Sequence, residues 1–366
     1  MTRTLLSRTL IACALGAALG GCGGGGDDGI PDGPVGPSPS GPYSPDPTAG
    51  PGPGQRPVLG PTDPPTVPVP DPEPAPDPEP EPDPEPVDNG DTFIRNGLLD
   101  DELADDALDG IVYGDGEVPI TEGSWARPTP AMSWAWQLQG PLNESYETDV
   151  YVIDMFAAVG RGRIERLHER GIMVFCYFSA GTYEPYRPDI HLFDEADMAE
   201  PHPGFTNERW LDPTSDRVVK IMVNRMDMAK KVGCDGVELD NVDAQVHDTS
   251  FEVTGDEQKR FIRILANAAH ERNLAVALKN SIANLPEVVE WFDLAINESC
   301  FRYDECDRYF PMTDAGKPVF HVEYGDALED DPVVREEMCV KARAFGMRSL
   351  VLPWALDGSF RLSCDG

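Results

Sequence analysis

Eight short apolar runs recur between residues 132 and 354, at 132–138, 150–155, 172–178, 233–241, 274–280, 292–298, 318–324 and 348–354. Stretches with helical periodicity fall between them, at 161–170, 216–231, 256–271, 285–291 and 332–345, several closed by Gly or Asn just beyond. Short apolar runs suit strands buried on both faces, and the amphipathic stretches suit helices that cover such a sheet. Eight strand and helix alternations in about 240 residues predict an α/β fold, a single (β/α)8 TIM-type barrel over 130–366. An open doubly wound sheet is the alternative, but no GxGxxG follows a first strand.

Upstream the composition changes twice. Arg3 and Arg8 precede an apolar stretch over 9–19 that ends in Leu19, Gly20, Gly21 and Cys22. That pattern predicts an export signal over 1–21, too short to span a membrane. LGGC is similar to a bacterial lipobox, which implies lipidation of Cys22 after cleavage; Gly23 rather than Asp behind it implies an outer-membrane destination. An ordinary secretory signal beside a cysteine is the plainer alternative. Residues 22–92 are dominated by Pro, Gly, Asp and Glu and include DPEPAPDPEPEPDPEP at 71–86. Alternating Pro favours extended chain and like charges resist collapse, so this segment is expected to be a disordered, semi-rigid tether. A proline-rich docking ligand is the other reading, although basic residues to orient it are lacking. Residues 93–129 are acidic with weak helical character and are expected to pack as an N-terminal extension.

Charge and cysteines narrow the class further. Residues 23–92 carry fourteen Asp or Glu against one Arg, and the leader adds Arg3 and Arg8, so about −25 of the formal net charge of −36 resides on 93–366. Such a domain is a poor partner for nucleic acid or anionic lipid and a good one for a cationic substrate; solubility or adaptation to salt is the plainer reading. Of eight cysteines, Cys13 leaves with the leader and Cys22 is the lipid candidate. Cys300 and Cys306 are spaced to close a small loop, and Cys339 and Cys364 to pin the C-terminal tail. Cys176 and Cys234 sit inside apolar runs and read as buried thiols. Zinc is disfavoured, because neither CxxC nor HxxxH occurs, and no cofactor is expected.

A barrel of this kind collects its chemistry at the C-terminal ends of its strands. Those ends carry, in order, Trp136 and Gln137; Asp154; Tyr177, Ser179 and Tyr183; Glu238, Asp240, Asn241 and Asp243; Lys279 and Asn280; Asn297 and Glu298; Glu323 and Tyr324; Trp354 and Asp357. The run CDGVELDNVD at 234–243 is the densest, loading four carboxylates onto a core strand, where burying charge is costly without chemistry to perform. Glycoside hydrolysis needs two carboxyl groups flanking the scissile bond. Asp240 on the fourth strand and Glu298 on the sixth form that pair here. Rings at Trp134, Trp136, Tyr177, Tyr183, Tyr324 and Trp354 are candidates to stack on sugar faces, although each is as readily a core residue.

The motifs WAWQLQG, DVYVIDMF, VFCYFSAGTYEPYRPD, WLD, GCDGVELDNVD, ALKNS, INESCFRYDEC and VFHVEYGD, in this order, resemble glycoside hydrolase family 114, the endo-α-1,4-polygalactosaminidase family of (β/α)8 barrels. The resemblance covers nearly everything from residue 130 onward. It implies retaining cleavage within α-1,4-linked galactosamine-containing exopolysaccharide by an Asp after strand four and a Glu after strand six, which fall on Asp240 as nucleophile and Glu298 as general acid/base. Leu239 departs from the family pattern, in which Pro is common. In these roles Asp240 should rest ionised with help from Lys279, and Glu298 should rest protonated. Glu238, Asp243, Asp154 and Glu323 are left to bind substrate, with Trp136, Tyr177, Lys279, Tyr324 and Trp354 beside them. Backbone hydrogen bonding is the plainer role for Asp154 and Glu323. The partner expected is a cationic amino sugar polymer met by a monomer. Two other classes stand beside this one. Asp235, Glu238, Asp240 and Asp243 form an oxygen-rich set for a divalent cation, but without the glycine-centred loop of an EF-hand, and alternation throws Asp235 away from Glu238. A barrel that binds polysaccharide without cutting it is the other.

Overall fold

Each of the eight apolar runs forms a strand in the computed structural model, which describes residues 98–158, 162–201 and 208–365. The expected export signal, Cys22 and the proline-rich segment lie outside the described residues. The strands are β1 (Trp134–Gln137), β2 (Val150–Asp154), β3 (Met173–Ser179), β4 (Gly236–Asp240), β5 (Ala275–Lys279), β6 (Leu294–Glu298), β7 (Val319–Glu323) and β8 (Arg348–Val351). They pair in chain order, all parallel. A two-residue strand, β9 (Leu362–Ser363), adds antiparallel to β8. Cross-links bridge the seam between β8 and β1: Trp134 Nε1 donates to the Arg348 carbonyl at 2.9 Å, Arg361 Nε to the Trp134 carbonyl at 2.8 Å, and the Leu138 amide to the Leu356 carbonyl at 3.0 Å. The curled sheet is a TIM-type barrel.

Side-chain alternation sorts the strand residues into two cores. Trp134, Val150, Val152, Phe175, Ala275, Ala277, Leu294, Ile296, Phe320, Val322 and Leu350 fill the interior as one buried cluster. Their neighbours of opposite parity, among them Tyr151, Val174, Cys176, Val237, Leu239, Val276 and Leu278, pack outward against the helices. Gly236 is the interior residue of β4, and a Cβ there would stand 2.4 Å from the Phe175 ring, so Phe175 occupies the space that a side chain would need. The helices begin where the sequence supplies caps. Ser215 Oγ accepts from the Val218 amide ahead of Asp216–Val232, and Thr254 with Glu257 forms a capping box ahead of Gly255–Glu271.

Two features depart from the sequence reading. Cys176 and Cys234 are joined as a disulfide rather than held as thiols, with Cα atoms 6.0 Å apart, because Cys176 points to the outer face of β3 beside the foot of β4. Cys300–Cys306 and Cys339–Cys364 form the other two bridges, and the latter carries β9. After β3 the chain builds a small antiparallel sheet from Thr182–Tyr183, Met198–Pro201 and Arg209–Leu211, with the last of these in the middle. Its strands are too short to register as apolar runs. Beneath the barrel, Trp125 stacks on His270 at 4.0 Å and donates to Asp293, while Trp291 Nε1 donates to the Gly116 carbonyl, strapping residues 116–125 to the body.

Candidate active site

The barrel mouth gathers its charges around one ammonium group. Lys279, on the last residue of β5, is 3% exposed. Its Nζ lies 2.9 Å from Glu298 Oε2, 3.2 Å from Asp240 Oδ1 and 3.9 Å from Glu238 Oε1, and 4.8 Å above the Trp136 ring. These three carboxylates stand on inward-facing positions of β4 and β6, on either side of β5 in the sheet. Because Asp240 and Glu298 share one ammonium, the two bonding oxygens are at most about 6 Å apart, the sum of the two contacts.

Each carboxylate has a second support. Tyr177 donates to Asp240 Oδ2 at 3.1 Å and the Asn241 amide to Oδ1 at 2.8 Å. Tyr324 donates to Glu298 Oε1 at 2.5 Å. Burial holds both phenols well above their ordinary range, so they remain donors. Burial and then the Glu298 charge raise the Asp240 carboxyl, against the pull of Lys279. Burial also pushes Glu298 upward, yet Lys279 together with the Tyr324 hydroxyl outweighs it and holds Glu298 below the usual carboxylate range. Glu298 is thus held low, where the sequence reading wanted it high, because Lys279 and the Tyr324 hydroxyl both stabilise its ionised form, while Asp240 is lifted by its burial.

Not every expected substrate contact reaches the mouth. Glu238 is fully buried under Asp240, its Oε2 accepting from Trp136 Nε1 at 3.1 Å, and Trp136 is 3% exposed, so both belong to the floor of the site. Asp154 faces the mouth but is consumed: Arg187 holds Oδ2 at 2.7 Å and the Ala157 amide holds Oδ1 at 2.8 Å. Glu323 has outward parity on β7, where its Oε1 accepts from the Phe301 amide at 2.8 Å and from His321 Nε2 at 3.0 Å, anchoring the loop that follows Glu298. Asp235 lies at the far end of β4, bonded to His168 and the Val174 amide, so the four acids of 234–243 do not converge on one point. Trp134 and Tyr183 pack into the fold, against Phe320 and Phe193.

Asp243, Tyr324 and Trp354 remain at the opening. Trp354 is half exposed and meets Tyr324 edge-on at 5.0 Å. Asp243 lines a depression of about 440 Å³ with Asn280, Ser281, Glu298, Tyr303 and Glu305. Asn241, Asn280, Ser281 and Ser299, at the ends of β4, β5 and β6, all have positive φ, a strain that collects at functional sites. On the other flank the small sheet brings Glu184, Tyr186, Arg187 and Glu208 together, with Glu208 in electrostatic reach of Asp240, and none of the four was in the strand-end inventory. Glu208 Oε2 accepts from Thr182 at 3.0 Å, and burial with the Glu184 charge pushes its carboxyl up to about 8. The motif VFCYFSAGTYEPYRPD contained Glu184, Tyr186 and Arg187, but only the fold folds that loop back over β4.

Two carboxylates flanking the mouth of a (β/α)8 barrel, joined through a buried lysine, define a glycosidase. The profile of glycoside-hydrolase family GH114 matches residues 116–366. The chain belongs to this family. It is similar to Aspergillus fumigatus Ega3, whose crystal structure is a complex with galactosamine, at 34% identity over 67% of this chain and 99% of that chain, with a TM-score of 0.62. The glycoside hydrolase domain of PelA from Pseudomonas aeruginosa is more distant, at 18% identity over 63% of this chain and 98% of that chain, with a TM-score of 0.48. Among curated protein sequences none matches significantly.

Proposed function

We propose that the protein cleaves internal α-1,4-galactosaminidic bonds of a galactosamine-containing exopolysaccharide with retention of configuration. The observation that carries this reading is the pairing of Asp240 and Glu298 on Lys279, with bonding oxygens at most about 6 Å apart. Retaining glycosidases hold their carboxyl groups about 5–5.5 Å apart, whereas inverting ones need about 6.5–9.5 Å to admit a water. In this scheme Asp240 attacks the anomeric carbon while Glu298 gives its proton to the leaving oxygen, and Glu298 then takes a proton from the water that releases the sugar. As Asp240 loses its charge in the ester and Glu298 gains one, Lys279 stabilises the new carboxylate without leaving its place. The galactosamine in the Ega3 structure supports an amino sugar as substrate, and Asp243 and Glu305, which line the mouth, suit ammonium groups along a polymer.

The test is a panel of α- and β-linked amino sugar polymers, with products sized by mass spectrometry. An oligomer ladder from the α-1,4-galactosamine polymer alone is expected, and Asp240→Asn and Glu298→Gln should each lower its release at least about a hundredfold while melting as the parent does. Cleavage at the parent rate by both variants would sink the assignment.

A further inference from the structure

Glu238 is the buried acid for which the mechanism has no use. Its Oε1 has no hydrogen-bond partner, its residue is 0% exposed, and the nearest cation to that oxygen, Lys279 Nζ, stands 3.9 Å away, beyond a hydrogen bond. A carboxylate left so in a sealed interior is strongly disfavoured and takes up a proton instead. Glu298 is in the opposite condition, with Lys279 on one oxygen and Tyr324 on the other. The charged and titratable groups around Glu238 are Asp240 on its own strand, Tyr177 opposite it on β3, Lys279 on β5, Glu298 on β6 and Tyr324 just beyond β7; β1 contributes the Trp136 indole.

We propose that Glu238, Asp240 and Glu298 share a single proton that rests on Glu238 and moves by way of Lys279 to Glu298 when substrate binding closes the 3.9 Å gap between Glu238 Oε1 and Lys279 Nζ to hydrogen-bond distance, so that Glu238 is the positioning residue for the acid step. The inference rests on Glu298 being the acid. The transfer balances: Lys279 breaks one N–H bond as Glu298 gains an O–H, and the Glu238 O–H breaks as Lys279 regains an N–H, leaving the ammonium unchanged. It removes the difficulty that Glu298, held low by its partners, must act as an acid near neutrality. Burial pushes Glu238 up to about 8 despite Lys279, in keeping with a proton held there. Carboxyls coupled this closely titrate as a group.

The experiment compares the parent with Glu238→Gln, which keeps an acceptor for Trp136 but has no proton to give. In the parent the alkaline limb of kcat/KM should follow loss of the shared proton; in the variant it should move down by one pH unit or more, an at least about tenfold loss on that limb. An unmoved limb overturns the proposal. Infrared difference spectra without substrate give a second readout: a buried un-ionised carboxyl band at neutral pH that fades toward alkaline pH and that Glu238→Gln removes. Glu208, also pushed up to about 8, contributes a similar band. The Glu208→Gln protein therefore shows the Glu238 band alone, in a chain whose catalytic trio is intact, should Glu238→Gln fail to fold. A Glu208→Gln protein with no such band overturns the proposal whatever the polymer cleaved, whereas a band present in a protein that cleaves no polymer counts against the substrate reading only.

Discussion

Replacing Lys279 by Met should cripple both carboxylates at once, because one ammonium serves them both. The ammonium lies 3.2 Å from Asp240 and 2.9 Å from Glu298. At about 4 Å and an effective dielectric constant of about 20, one such contact is worth about 4 kcal/mol, or about three pKa units at about 1.4 kcal/mol each. Lys279 lowers both carboxyls, so its loss raises both, Asp240 from a value that burial has already lifted. Less of the nucleophile is then ionised at neutral pH and kcat/KM falls, by as much as about a thousandfold where all of the roughly 4 kcal/mol of lost carboxylate stabilisation is felt. Since both carboxyls shift upward, both limbs of the pH profile move to higher pH and part of the activity returns under alkaline conditions. Reducing-end release from the polymer, followed across pH alongside thermal melting, measures this. A loss under about tenfold with an unmoved optimum would refute the reasoning, because it would mean that less than about 1.4 kcal/mol of the carboxylates' stabilisation comes from the lysine.

Two further outcomes follow from the structure. The Cys176–Cys234 bridge spans 58 residues; chain-entropy arguments put its worth at about 4 kcal/mol, so Cys176→Ala with Cys234→Ala should lose about 2–4 kcal/mol in denaturant melts, and a loss below about 1 kcal/mol would contradict the pairing. Trp354 is half exposed beside Tyr324; Trp354→Ala should raise KM about three- to tenfold with kcat little changed, as expected for one lost ring contact, and an unchanged KM would remove it from the substrate path.

The barrel was legible because its strands are buried on both faces and therefore appear as unbroken apolar runs, whose order also placed Asp240 and Glu298 on strands four and six. What could not be read was parity and return path. Glu323 and Tyr324 are adjacent in sequence, yet alternation turns one toward a loop anchor and the other toward Glu298. Asp154 faces inward but meets Arg187, a loop residue that approaches it only after the chain has doubled back from β3. Cys176 and Cys234 pair because β3 and β4 are neighbours, a fact of topology that two apolar contexts conceal. The low carboxyl of Glu298 was hidden for a similar reason: the Lys279 ammonium and the Tyr324 hydroxyl reach it from the ends of two other strands.

The most direct measurement of the central claim is the anomeric configuration of the first product. An α-1,4-galactosamine oligomer is cleaved in deuterated buffer and the new reducing end is followed by proton NMR before it mutarotates. Asp240 and Glu298 acting as nucleophile and acid/base predict the α-anomer first, with the β-anomer growing in later; a β-anomer at the earliest times would contradict the account.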